Sequence, residues 1–109
     1  MQIQINTNIK MPSHELMASW VQTTLTQTLS KFAESITRLE VHLSDENGDK
    51  NGPHDQRCML EARLKGRQPV VVTELAASFE QAVTGAGHKM VRLLESDERA
   101  IKPMASSPL

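Results

Sequence analysis

Lys89 and Arg92 stand three residues apart in a stretch of helical periodicity, which makes them neighbours on one helix surface. Such a pair could hold phosphates, the ammonium as a point charge and the guanidinium as a planar fork. The bland reading of the same two residues is a solvated helix face. A second basic group lies on alternating stretches: Arg57, Arg63 and Lys65 on one, Arg38 with His42 on another, and Arg67 in the turn that follows. These residues suit a phosphate-binding strip. They suit equally the solvated side of a one-sided sheet, with Glu40 and Glu61 pairing across strands. No Tyr or Phe punctuates the strip, so an aromatic base-stacking platform is not expected.

Other chemistries fail on spacing. Asp45, Asn47, Asp49 and Asn51 alternate like the start of a calcium loop. Lys50 then stands where that loop needs glycine, and Gln56 where it needs a bidentate Glu. His54 and Cys58 are spaced like half a zinc site, but His14, His42 and His88 supply no second pair at ligand spacing. Cys58 falls on an apolar strand face and reads as a buried structural thiol. There is no glycine-rich phosphate loop, nucleophile elbow or acid–base pair. The expectation is a non-enzyme with no metal, no cofactor and no small-molecule substrate.

A chain of 109 residues is one domain's worth. Hydrophobic residues at 39% and charged residues at 23% indicate a folded protein. Aromatics are only 3%, so the core must rest on Leu, Val, Ile, Met and Ala. The net charge of −1 excludes nucleic-acid binding by bulk electrostatics; basic groups would have to be concentrated on one surface. The single cysteine excludes an intrachain disulfide and suits a reducing compartment. The N-terminus lacks the pattern of a signal peptide, and no apolar run approaches the roughly 20 residues of a membrane span. A cytoplasmic location is expected.

The elements that must carry these residues follow from periodicity. Residues 2–6 alternate as a strand, with Ile3 and Ile5 on one side. Ser13 can cap a helix whose apolar stripe is Leu16, Trp20, Val21, Leu25, Leu29 and Phe32, with Trp20 in the core. Period two returns at Ile36, with Leu39, Val41 and Leu43 inward. Residues 45–56 are a polar loop, expected to be mobile and metal-free. Cys58, Leu60, Ala62 and Leu64 point inward on the next strand, and a fourth strand opens at Val70 after the turn at Gly66–Pro69. Ser78 and Gln81 form a capping box. The helix it starts has Phe79, Ala82, Val83, Ala86, Met90, Leu93 and Leu94 on its apolar face. Gly85 and Gly87 inside that helix cost about 1 kcal/mol each relative to Ala, and mark close packing on the layer beneath. The expected fold is α+β in the order β-α-β-β-β-α. It has a four-stranded mixed sheet of order 1-2-3-4 with two helices packed on one face. The domain should span 1–100, with 101–109 a flexible tail.

This element order and its landmarks resemble the ribosome hibernation promoting factors, the family that includes ribosome-associated inhibitor A. The resemblance runs from about Ile3 to about Leu94. Its landmarks are Ala82-Val83-Thr84-Gly85 followed by Lys89 and Arg92, and the strand Ile36-Thr37-Arg38-Leu39-Glu40-Val41-His42-Leu43. It implies the short, single-domain form of the family: a cytoplasmic protein that binds the small ribosomal subunit and its rRNA. Such a protein holds ribosomes inactive under stress, without catalysis or cofactor. On that reading the RNA contacts are Lys31, Arg38, Arg63, Lys65, Arg67, Lys89 and Arg92. The chain departs from the family at Glu95-Ser96-Asp97-Glu98-Arg99, acidic where Lys and Arg are usual. The alternative is a protein-interaction or homodimerising module on the same fold that has lost strong rRNA binding.

Overall fold

The computed structural model describes residues 1–7, 14–45 and 56–106, with side chains for 1–7, 15–45 and 56–96. The cap at Ser13, the loop between the second and third strands, and His14 and His54 as ligands therefore lie outside the described residues or side chains. The elements are β1 (Gln2–Thr7), α1 (His14–Thr28), a 3₁₀ turn (Ser30–Phe32), β2 (Ile36–Asp45), β3 (Gln56–Leu64), β4 (Val70–Ala76) and α2 (Phe79–Ser106). The sheet order is β1-β2-β3-β4. β1 runs parallel to β2, as a helical crossover allows, while β3 and β4 pair antiparallel. The fold class, element order and strand order are those expected.

Period two decides the two faces. Leu39 lies opposite Ala62, Val41 opposite Leu60 and Leu43 opposite Cys58, all buried beneath the helices. A register shift between Ile36 and Arg38 gives β2 an extra residue, Thr37, whose hydroxyl donates to the Arg63 carbonyl at 3.0 Å. The bulge lets Ile36 and Leu39 both face inward although they are three apart. The helices contribute Val21 and Leu25, then Ala82, Val83, Ala86, Met90 and Leu94, to the same core cluster. Ile3 and Ile5 are only half-buried, because β1 is an edge strand.

Several expectations shift. Leu16 is 74% exposed and does not join the apolar stripe, and Leu93 sits at the surface. Trp20 packs against the core cluster but stays half-buried. Leu29 and Phe32 are buried as expected, yet they lie beyond α1, where the backbone tightens into the 3₁₀ turn. At α2, Ser78 Oγ accepts from the Gln81 N–H at 3.1 Å, which is the expected cap. The helix continues to Ser106, past the expected end near Ala100. Apolar periodicity stops at Leu94, but Glu, Arg, Ala, Lys and Met beyond it are good helix formers.

Candidate nucleic-acid interface

The open face of the sheet is built by cross-strand register. Arg38 lies opposite Arg63 and Glu40 opposite Glu61, with Gln4 beside Glu40 on β1. Like charges directly opposite repel, so each pair needs the other. Arg38 Nη2 lies 3.1 Å from Glu40 Oε2 and also donates to Gln4 Oε1. Arg63 reaches both acids, its Nε 3.7 Å from Glu40 and its Nη2 3.8 Å from Glu61. His42 Nε2 lies 3.4 Å from Glu40 Oε1. The result is a lattice of charges that neutralises itself, with the Glu40 side chain only 13% exposed at its centre. Glu40, His42 and Glu61 offer ligand atoms within 4.8 Å of one another. The guanidinium of Arg63 already binds both carboxylates, however, and a metal ion would have to displace it.

The helix side is different. Lys89 and Arg92 are both exposed on α2, as the spacing requires. The Lys89 ammonium turns to the sheet, 2.7 Å from Glu74 Oε1, and donates to the Thr73 carbonyl at 2.8 Å. β4 is an edge strand, so Lys89 covers one of its backbone acceptors. Sequence reasoning missed Glu74. It points to the helix side because it lies opposite Cys58 in the register. A Cβ on Gly85 would come within 2.6 Å of Glu74 Oε2, so Gly85 makes room for that carboxylate. Gly87 makes room for α1 instead: its Cβ would lie 3.2 Å from Leu25 Cδ2. Burial pushes the Cys58 thiol up to about 12, with the Glu74 carboxylate adding to it. Such a thiol is neither a nucleophile nor a ready ligand.

The remaining cations sit elsewhere. Lys31 lies 3.4 Å from Glu95 and 5.6 Å from the centre of the Phe32 ring. Lys65 is past the end of β3, not on the open face; with Arg67 it walls a cavity of about 280 Å³. Phe32, Leu64 and Leu94 form the cavity's apolar lining, and Glu34 and Ser35 complete the rim. The seven expected contact residues therefore occupy three places: Arg38 and Arg63 on the open face; Lys31, Lys89 and Arg92 around the helices; Lys65 and Arg67 at the strand end. Among the described residues, Arg38, Arg63, Lys31 and Lys89 each have a carboxylate partner, whereas Lys65 and Arg92 have none.

No helix among the described residues is long and apolar enough to cross a membrane. No protein-family model and no curated protein matches the sequence. Among solved structures, the N-terminal domain of Protein Y from Thermus thermophilus matches with a TM-score of 0.59 at 20% sequence identity. The match covers 83% of this chain and 91% of that one. The chain thus has the fold of the Protein Y N-terminal domain, with the helices and sheet in the same arrangement over most of its length.

Proposed function

We propose that this chain is a ribosome-associated RNA-binding protein of the hibernation-factor type, which binds the small subunit in the cytoplasm and holds ribosomes inactive under stress. The observation that carries the reading is the fold shared with the Protein Y N-terminal domain over 83% of the chain. The sequence landmarks resemble hibernation factors, and the two likenesses, drawn from different properties of the chain, point the same way. The role is one of occupancy, without catalysis or cofactor. Lys31, Arg38, Arg63, Lys65, Arg67, Lys89 and Arg92 are the proposed rRNA contacts. Arg92 and Lys65 can engage phosphate directly. Lys31, Lys89, Arg38 and Arg63 must first exchange a carboxylate for it. Binding should therefore be modest and should fall steeply as salt rises, because each phosphate contact releases counterions. The same internal pairing favours a second reading, a protein-interaction or homodimerising module that has lost strong rRNA binding.

Sedimentation with ribosomes through a sucrose gradient separates the readings. The protein should travel with the small subunit at low salt, and the Lys89→Glu, Arg92→Glu double variant should travel less. Equal sedimentation of the double variant would remove those two residues from the interface. Wild-type protein that stays at the top at low salt would sink the ribosome reading. A dimer seen by light scattering would then support the second one.

A further inference from the structure

β4 is an edge strand, and its part of the open face is unlike the rest. Where β2 and β3 present mainly charged residues, β4 presents Val71, Thr73 and Leu75. Val71 is 51% and Leu75 49% exposed. Among the described residues they are the only large apolar side chains so exposed on a strand. Beside them runs the free edge of the sheet, whose backbone N–H and C=O groups can pair with a further strand.

β4 has the symmetry that antiparallel pairing with a second copy needs. Thr73 is the midpoint of Val70–Ala76, and Val71 and Leu75 lie two residues to either side of it. A two-fold axis through Thr73 pairs all seven residues of the strand, and any other register shortens the overlap. It sets Val71 opposite Leu75 of the second copy, and Leu75 opposite Val71 of that copy, as an isologous contact requires. The neighbouring strand adds charges in matching order, Glu61 beside Val71 and Arg57 beside Leu75. Each row therefore runs Arg57, Leu75, then Val71 and Glu61 of the second copy, with base and acid at opposite ends. On the helix side Glu74 meets Val72 of the second copy, and its charge is already held by Lys89 at 2.7 Å. A register centred one residue further on would set the two Glu74 carboxylates face to face. Lys89 also donates to the Thr73 carbonyl at 2.8 Å, on the axis itself. Pairing exchanges that single bond for a backbone ladder and leaves the ion pair with Glu74 in place.

We propose that β4 is a self-association edge: two copies of the chain join their sheets antiparallel through it, centred on Thr73. The inference rests on the homodimerising reading, to which it gives a surface and a register, and it does not require ribosome binding.

The test is sedimentation equilibrium on the full chain, with cysteine cross-linking to fix the register. One strand pair is a small interface, below the roughly 1,200 Å² of stable complexes, so the average mass should climb from monomer toward dimer only between about 10 μM and 1 mM. Val71→Lys with Leu75→Lys should hold the chain monomeric, because each row then sets two ammonium groups opposite one another. Both positions are exposed, so the variant should keep the wild-type fold. Thr73→Cys should form a disulfide dimer under mild oxidation, since only the residue on the axis faces itself at bridging distance. Val71→Cys, though exposed, should not, and neither should the wild type, whose Cys58 is buried. Self-association of the double lysine variant equal to the wild type's would overturn the proposal. A wild-type dimer with no bridge at position 73 would reject the β4 edge and leave the homodimerising reading intact. A chain that stays monomeric throughout the range would sink both.

Discussion

On the helix side of the sheet, Leu39, Val41, Leu60 and Ala62 expose no surface at all. On the other side of the same two strands, Arg38, Glu40, Glu61 and Arg63 crowd four charges into adjoining positions. Successive residues alternate between the two environments. The covered face gains by excluding water, at roughly 25 cal/mol per Å² of apolar surface. The open face tolerates charge because each group keeps water and an opposite neighbour. Where the covered side does admit a charge, at Glu74 on the edge strand, it requires a glycine to make room and Lys89 to pair with it. On the open face the charges of Arg38, Glu40, Glu61 and Arg63 are already paired with one another, so an anionic partner would have to displace a carboxylate there.

The sharpest break of this comparison is to cut one side chain from each face. Leu60→Ala should cost about 2–5 kcal/mol, through lost burial and the cavity left behind. Arg63→Ala should cost less than about 1 kcal/mol. Urea denaturation of the two variants measures both, and similar losses would mean that the open face contributes more than solubility.

The covered face should also reveal itself at high pH. The Cys58 thiol is raised from 9.0 to about 12 in the folded protein, by burial first and by Glu74 second. The unfolded chain loses this proton near pH 9, while the folded one keeps it until about pH 12. Above pH 9 the folded state binds the extra proton, so stability falls as pH rises. Its contribution is fully present below pH 9. The chain has no tyrosine to obscure the effect. Urea midpoints should fall more steeply above pH 9 for the wild type than for Cys58→Ala, and parallel curves would show that the thiol is not held protonated.

The smallest expected effect on stability comes from the open face. Glu40→Gln removes the carboxylate shared by Arg38 and Arg63 and brings the net charge from −1 to zero. Stability should change by no more than about 1 kcal/mol, since repulsion from Glu61 is relieved as the ion pairs are lost. Affinity for RNA or heparin should rise, with a steeper salt dependence, because Arg38 loses its carboxylate partner and Arg63 one of its two. Unchanged or weaker binding would show that Glu40 does not restrain them.

The strands were legible because alternation is a local property. Ile3 and Ile5 on β1, Leu39 to Leu43 on β2 and Cys58 to Leu64 on β3 announce their inward side without reference to anything distant. The cap at Ser78 was legible for the same reason, since its hydroxyl and the Gln81 N–H it meets are three residues apart. Leu16 misled because a helical stripe states which residues align, not how far the neighbouring layer extends to cover them. The candidate site was legible only as a set of basic residue types. Lys89 and Arg92 were rightly neighbours on one helix surface, but the Lys89 ammonium is taken by a carboxylate on another element.

By itself, then, the order of apolar and polar residues determined the element types, the inward face of each strand and the start of α2. These depend on a side chain's direction relative to its own backbone. Only the tertiary structure decided which charges are spent on one another and which are left to meet a partner. Arg38 meets Gln4 across 34 residues of sequence, Lys31 meets Glu95 across 64, and the Lys65 N–H donates to the Ser35 carbonyl beyond the end of β3. Coulomb attraction and hydrogen bonding act over a few ångströms of space. Their partners are therefore set by register and packing, which no local stretch of the chain contains.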